Sequence, residues 1–145
     1  MEVKKKKIKK SFRQGPISAT SIGESIGHHQ VKTNIGAHDI FLGQVRADEI
    51  GGKRVSAIEY TAQEEMAEAK FNEIREAAFE KFDLTCSHIY HSLGTVKTGE
   101  ICLFVFTSSE HRADAIASCN YMVERIKKEV PVFGKEIFED GTHQW

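Results

Sequence analysis

Positively charged side chains beside predicted element ends are the residues of this sequence best suited to chemistry. The string TSSEHR, residues 107–112, lies at the start of a predicted helix and places His111 and Arg112 in its first turn. Backbone N–H groups and the helix dipole make such a terminus attractive to a phosphate or carboxylate, and a guanidinium strengthens that attraction. The alternative interpretation is a solvated arginine beside an incidental histidine.

Three further cations extend this set. Arg46 closes the apolar run of residues 36–45. Lys127 lies in the last turn of the same predicted helix, and Lys135 follows in the string PVFGKE. A strand-end arginine and a last-turn lysine are also common as structural or solvated residues. Together with the histidine–arginine pair, however, the set suits a small ligand that carries several negative charges.

The cysteines and histidines do not predict a metal site. Cys86, Cys102 and Cys119 are widely spaced and form no CxxC pair, so we expect small buried hydrophobic residues, with a reactive thiol as the alternative. His88 and His91 come nearest to metal-like spacing. In a strand they would point to opposite faces, because they are an odd number of residues apart. We therefore expect no metal and no cofactor.

Two amphipathic helices dominate the hydrophobic pattern. Apolar residues recur every three or four positions over residues 64–82 and again over residues 108–129, which is the period of a helix with one buried face. Thr107 and Glu110 have the spacing of a capping box at the start of the second helix.

Strand-like segments alternate with these helices. Residues 36–45 and 54–61 flank a loop with two consecutive glycines and are predicted to form a β-hairpin. Residues 85–92 and 100–107 are predicted as two further strands, and residues 131–145 as an irregular tail. The order of elements indicates an α+β domain, a mostly antiparallel sheet covered by two main helices.

Length and charge limit the class of protein. A chain of 145 residues is sufficient for one domain and too short for two well-cored ones. The net charge of -1 is unevenly distributed along the chain. Residues 1–13 carry seven basic side chains and one acidic side chain, and the remaining residues are net acidic. We interpret residues 1–14 as a basic flexible arm and residues 15–145 as a single domain, with a weak helical pattern over residues 17–30. We expect a cytoplasmic protein without membrane contact, because no apolar stretch is long enough to span a bilayer.

Four strings in this order carry a resemblance to a known family. They are FLGQVR (residues 41–46), HSLGTVKTGE (91–100), TSSEHR (107–112) and IKKEVPVFGKE (126–136). Their order and spacing resemble those of the large, catalytic subunit of molybdopterin synthase, and the resemblance covers about residues 15–145.

The resemblance implies an α/β-hammerhead type fold and a cytoplasmic sulfurtransferase of molybdenum cofactor biosynthesis. It also implies a homodimer that binds one small ubiquitin-like sulfur-carrier subunit at each end, which makes a heterotetramer. The substrate would be cyclic pyranopterin monophosphate. Two sulfurs, each delivered as the C-terminal thiocarboxylate of a small subunit, would be inserted into it to form molybdopterin.

The same resemblance assigns the site residues. It implies Lys127 and Lys135 as catalytic residues. The implied substrate-binding residues are Gln44, Val45, Arg46, His111, Arg112, Lys127, Gly134, Lys135 and Glu136. The family's second lysine falls on Gly134, so we expect Lys135 to take its place through a small backbone shift that glycine permits. The alternative is a chain that relies on Lys127 alone.

Helix geometry adds a prediction about assembly. His111 and Lys127 are 16 residues apart on one predicted helix, which at about 1.5 Å per residue separates them by roughly 24 Å. One small pterin cannot touch both residues of the same chain. We therefore predict a site shared across the homodimer, with Arg46, Lys127 and Lys135 from one subunit and His111 and Arg112 from the other.

Two other functions stay open. A catalytically degenerate homologue that acts as a binding partner is suggested by Gly134 and by Gln63, where the family often has a tyrosine. A nucleic-acid-binding module would use the lysine-rich arm for salt-dependent affinity. The rest of the chain is net acidic, so we expect no nucleic-acid partner.

Overall fold

A computed structural model describes residues 9–145 of the chain. Its elements are β1 (Phe12–Gln14), α1 (Ala19–Gln30), β2 (Ala37–Gln44), β3 (Glu49–Ile50), β4 (Lys53–Ala62), α2 (Glu64–Lys81), β5 (Cys86–Lys97), β6 (Ile101–Ser109), α3 (Arg112–Glu129), β7 (Val132–Phe138) and β8 (His143–Gln144). The sheet has the order β2-β6-β5-β4-β7-β8, with β1 beside β5 and β3 beside β4. None of the described helices combines the length and apolar character needed to cross a membrane.

Strand β5 joins the two halves of the sheet. Residues 86–91 pair antiparallel with β6, whereas residues 94–97 pair antiparallel with β4. Gly94 lies where the pairing changes and has a φ of 82°, a left-handed conformation that favours glycine. All pairings except that of β1 with β5 are antiparallel, so the predicted α+β fold with a mostly antiparallel sheet is confirmed.

Helices cover the two faces of the sheet unequally. Along β6, Leu103 and Val105 join the larger core cluster with the buried faces of α2 and α3. Phe104 and Phe106 point the other way, into a smaller cluster with Ile17 and isoleucines of α1. Each fully buried large side chain contributes about 1.5–3 kcal/mol. The larger cluster is therefore the main source of stability, which agrees with the two main helices expected from the sequence.

The predicted hairpin between residues 36–45 and 54–61 is wrong. Strand β2 pairs with β6 along its whole length, and β4 pairs with β5 and β7. Only the two-residue β3 forms a hairpin with β4, across Gly51 and Gly52. The choice of partner follows burial, because β6 is buried along nearly all its length and needs a neighbour on each side to satisfy its backbone hydrogen bonds.

The irregular tail predicted for residues 131–145 is also wrong. Strand β7 pairs with β4, and β8 pairs with β7. Phe138 at the end of β7 is buried, so this segment belongs to the body of the domain. The sequence VFGKEIF does not show the alternation of apolar and polar residues that is typical of a strand, because a glycine and two charged residues interrupt it.

The second main helix begins later than predicted, and the expected capping box is not formed. Strand β6 continues to Ser109, and His111 is the residue that precedes the first helical turn. The Thr107 hydroxyl is buried and donates to the backbone oxygen of Ala115 at 2.6 Å. Strand pairing with β2 and β5 therefore overrides the local capping signal.

The basic arm predicted for residues 1–14 ends before Ser11. The buried Ser11 donates its backbone N–H to the two Glu68 carboxylate oxygens at 3.0 and 2.8 Å. Arg75, which is 4% exposed, donates to the Ser11 hydroxyl at 2.8 Å and to the Lys9 backbone oxygen at 2.9 Å. Helix α2 thus holds the start of β1. Residues 1–8 of the predicted arm lie outside the described residues.

Candidate active site

Two adjoining cavities meet at Tyr60 and Lys127. The smaller cavity, of about 150 Å³, is lined by Tyr60, His91, Leu103, Ile126, Lys127, Val130 and Val132. The larger one, of about 410 Å³, has among its lining residues Gln44, Val45, Arg46, Tyr60, Lys127 and Glu136. We call the two together the Lys127 cleft. Five residues that the sequence predicted as site residues are therefore brought together.

The end of β2 presents Arg46 at the mouth of the cleft. The pairing of β2 with β6 is irregular between Gly43 and Gln44, and after it Val45 is buried at 2% exposure. The side chain of Arg46 is 82% exposed and lies 3.4 Å from the Asp48 carboxylate. An exposed ion pair of this kind is worth at most about 1 kcal/mol, so the guanidinium can exchange Asp48 for an anionic ligand.

Lys127 enters the cleft from the last turn of α3. Its neighbour Ile126 is buried in the core at 4% exposure and anchors this turn against the sheet. Lys127 itself is exposed and lines both cavities. The C-terminus of a helix favours a nearby cation. An amine thus lines the same cavity as Tyr60 and His91.

Tyr60 supplies a neutral hydroxyl to the same cleft. Burial, together with the adjacent Cys102 thiol, raises the pKa of Tyr60 well above its ordinary value. The hydroxyl therefore keeps its hydrogen at neutral pH and can donate it to a negatively charged group. Tyr60 was not predicted as a site residue, because an isolated tyrosine in a predicted strand carries no chemical signal.

His91 supplies a neutral imidazole. Its Nδ1 lies 2.8 Å from the Ser92 backbone oxygen, and a carbonyl only accepts, so Nδ1 carries the hydrogen. Burial in the first place, and Lys127 in addition, lower the pKa of His91, against the raising effect of the Ser92 hydrogen bond. The Nε2 atom of the neutral ring then has a free lone pair. His91 is the first residue of the string HSLG, but it was not predicted to be a site residue.

Register places Lys135 on the opposite face of β7 from the cleft. Tyr60 pairs with Gly134, and Glu59 pairs with Lys135. A Cβ atom on Gly134 would lie 3.5 Å from the Tyr60 ring, so this position faces the cleft. The pairing is regular here and contains no shift of the kind that would turn Lys135 inward. Within one chain, Lys135 and Lys127 are not brought together.

His111 and Arg112 lie at the far end of α3. The helix is continuous from Arg112 to Glu129, and both residues are exposed. The distance along the helix therefore keeps them out of the Lys127 cleft of their own chain. They form no part of a cavity with Lys127 in the structure of the single chain.

Comparison with known proteins identifies the family. A sequence profile described as MoaE protein matches residues 12–129. The chain belongs to the MoaE family. The molybdopterin synthase catalytic subunit of Pyrococcus abyssi is 37% identical over 102 residues, which cover 70% of this chain and 68% of that one. The same subunit of Staphylococcus carnosus is 39% identical over 110 residues, with coverages of 76% and 72%.

Solved structures agree with this assignment to the MoaE family. The crystal structure of molybdopterin synthase from Staphylococcus aureus has a TM-score of 0.80 and 33% identity, and the match covers 93% of this chain and 96% of that one. The MoaE protein from Burkholderia ambifaria has a TM-score of 0.73 and 26% identity, with coverages of 93% and 87%. The predicted sulfurtransferase of molybdenum cofactor biosynthesis, a molybdopterin synthase catalytic subunit, is confirmed.

The extent of the MoaE profile separates the two lysines. Its match ends at residue 129 and thus includes Lys127 but not Gly134, Lys135 or Glu136. The lysine that lies in the cleft is also the one inside the matched region.

Proposed function

We propose that the Lys127 cleft binds cyclic pyranopterin monophosphate and that sulfur is inserted into this substrate there, which yields molybdopterin. The observation that carries this proposal is that Lys127, Tyr60 and His91 line the smaller cavity, while Arg46 lines the adjoining larger one together with Lys127 and Tyr60. An amine, a neutral hydroxyl and an imidazole with a free Nε2 can hold and move protons. The guanidinium is suited to a phosphate.

Each group has its own task in this proposal. Arg46 binds the phosphate and stabilises negative charge as the cyclic phosphate opens. Tyr60 donates its hydroxyl hydrogen to an oxygen on which charge develops. Lys127 transfers a proton to or from the substrate during sulfur attack. His91 accepts a hydrogen bond through Nε2 and keeps the Lys127 amine oriented.

The sulfur donor in this proposal is a small carrier subunit that ends in a thiocarboxylate. A solved structure with the same fold, at a TM-score of 0.80 and 17% identity, is titled as a complex of subunits 1 and 2 of the molybdopterin-converting factor from Helicobacter pylori. We propose that this chain binds such a partner in the cytoplasm, with the carrier's C-terminus reaching the Lys127 cleft.

His111 and Arg112 complete the site from a second copy of the chain in this proposal. Both are exposed cationic or titratable residues at a helix N-terminus, where an anionic group is favoured. In a homodimer, this end of α3 from one protomer would lie beside the Lys127 cleft of its partner. The substrate would then be held between two chains.

The test is turnover by Lys127→Ala with a thiocarboxylated carrier and cyclic pyranopterin monophosphate. We expect a loss of at least about 100-fold, because the variant lacks the group that transfers protons. Lys128→Ala is the matched control, since Lys128 is the next residue on α3 and is exposed outside the cleft.

Carrier binding by Lys127→Ala, measured by calorimetry, shows whether the variant is folded and assembled. Full turnover by this variant contradicts the proposed role of Lys127. An inactive wild-type chain that still binds the carrier favours the degenerate binding partner.

A further inference from the structure

A second cluster of reactive side chains lies on the face of the sheet that carries α1, away from the Lys127 cleft. Cys86 and His88 are two residues apart on β5, so they point to the same face. His29, in the last turn of α1, reaches the same place. The ligand atoms of the three residues all lie within 4.8 Å of one another. The Nε2 atoms of His29 and His88 are 2.9 Å apart.

The side chains in this cluster are the ligands that thiophilic transition metals prefer. Zinc takes imidazole nitrogen at about 2.0–2.1 Å and thiolate sulfur at about 2.3 Å, so two such atoms on one tetrahedral ion are roughly 3.3–3.6 Å apart. The observed separations bracket this range. Side-chain rotations that move the ligand atoms by about 1 Å or less are therefore sufficient to enclose an ion.

Hydrogen bonding prepares His29 for this role. Its Nδ1 lies 2.6 Å from the backbone oxygen of Ser25, one turn earlier in α1. A carbonyl only accepts, so the hydrogen is on Nδ1 and the Nε2 lone pair points into the cluster. Metal-binding histidines are commonly oriented in this way, with the second ring nitrogen donating to a carbonyl or carboxylate.

We propose that His29, Cys86 and His88 bind a transition-metal ion of the Zn²⁺ type. A fourth coordination position is left for water or an exchangeable ligand. It faces a cavity of about 550 Å³ whose lining includes His28, His29, His88 and Tyr90. On binding, the hydrogen that the His88 Nε2 donates to the His29 Nε2 moves to Nδ1 of His88. Cys86 binds as the thiolate, and its proton goes to solvent.

Lys32 occupies the metal's place beside the thiol when no ion is bound. Its Nζ donates to the Cys86 Sγ at 2.9 Å. The Lys32 side chain is exposed and can turn into solvent when a metal displaces it. Lys9 and Arg75 line one cavity together with His88. Their charge opposes a divalent ion, so we expect an exchangeable site rather than a permanently loaded one.

The test uses the full chain, freed of metal by a chelator and titrated with Co²⁺ as a spectroscopic substitute for Zn²⁺. We expect visible d–d bands and a thiolate-to-cobalt charge-transfer band, both of which saturate with one ion per chain and are lost when Zn²⁺ is added. Cys86→Ser should abolish the charge-transfer band. His29→Gln should weaken binding by more than the roughly 10–100-fold typical of losing an outer hydrogen-bond partner.

Matched controls come from the other buried cysteines and from the neighbouring histidine. Cys102→Ser and His28→Gln should keep the cobalt spectrum. Thermal unfolding of each metal-free variant shows that it folds, and Zn²⁺ should raise the melting temperature of the wild type but not of Cys86→Ser. The proposal is overturned if Co²⁺ gives no charge-transfer band with the wild type, or if the band survives Cys86→Ser.

Discussion

Lys135 and Glu59 face each other across β7 and β4, with the Lys135 Nζ 3.6 Å from the Glu59 Oε2. The neighbouring pair, Gly134 and Tyr60, has the opposite orientation and faces the cleft. Position 134, where the resemblance to the family predicts the second lysine, is therefore a glycine in the wall of the cleft. Lys127 is the lysine that lines the cleft among the described residues.

Lys135→Ala is expected to lower turnover by less than about 10-fold, because Lys135 faces away from the cleft and the partly exposed ion pair that is lost stabilises the fold by about 1 kcal/mol or less. Steady-state turnover beside Lys127→Ala measures the difference. A loss as large as that of Lys127→Ala would instead support the role for Lys135 that the sequence predicts.

Tyr60→Phe is expected to lower kcat by about 100-fold, the usual effect of removing one donor to a developing negative charge. The ring remains in place, so the free energy of unfolding should change by about 1 kcal/mol or less. Tyr121→Phe serves as the control, because the Tyr121 hydroxyl accepts a hydrogen bond from Arg125 and Tyr121 lines neither cavity of the cleft. Unchanged kcat for Tyr60→Phe would remove this hydroxyl from the mechanism.

The stability of the chain should fall as the pH drops below about 6.5, the ordinary pKa of histidine. Burial lowers the pKa of His91, so the unfolded chain takes up a proton there at a higher pH than the folded chain does. Stability is then lost progressively as the pH falls toward the folded pKa. Burial and nearby cations also lower the pKa of His88, to about 4.

Urea unfolding of His91→Gln at about pH 7.5 and about pH 5 measures the contribution of His91. The variant should show a smaller loss of stability between the two pH values than the wild type. Part of the loss should remain because His88 acts in the same direction. Equal losses in both proteins would show that His91 is not buried in its neutral form.

Mixing two inactive variants tests whether the site is shared between protomers. In a dimer of Lys127→Ala with Arg112→Ala, one of the two shared sites has both wild-type residues. Random exchange at equal amounts should restore about a quarter of wild-type activity, since half of the dimers are mixed. Activity that stays at the level of the separate variants would mean that each chain forms its site alone.

Glu68→Ala should release β1 from α2. The Glu68 carboxylate accepts backbone hydrogen bonds from Ser11 and Phe12, and hydrogen bonds to a charged group contribute about 1.5–3 kcal/mol. Urea unfolding should show a loss of this size, and amide exchange at Phe12–Gln14 should become faster. Glu65→Ala, on the exposed side of the same helix, should change stability by less than about 0.5 kcal/mol.

The main helices were predictable from the sequence because their apolar period is local. The partners of the strands were not. Strand β2 pairs with β6, which follows it by about sixty residues, and no local pattern encodes such a distance. The intervening loop with Gly51 and Gly52 suggested a long hairpin, but it connects only the short β3 to β4.

Residues predicted from recognisable strings lie in the candidate site beside others that only the fold brings there. Arg46 and Lys127 come from two such strings and meet in one cleft. Tyr60 carries no sequence signal of its own. His29, Cys86 and His88 converge only because α1 packs on the face of the sheet that carries Cys86 and His88, and no spacing along the sequence indicates this.

Strand β5 carries His88 and His91 on opposite faces, so one strand supplies both the proposed metal site and the Lys127 cleft. A one-residue slip of β5 would turn each histidine to the other side. A one-residue insertion or deletion between His88 and His91 would therefore turn one of the two histidines away from its site, whereas a change in the turn after Lys97 would leave both in place. Both sites therefore depend on the pairing register of one strand.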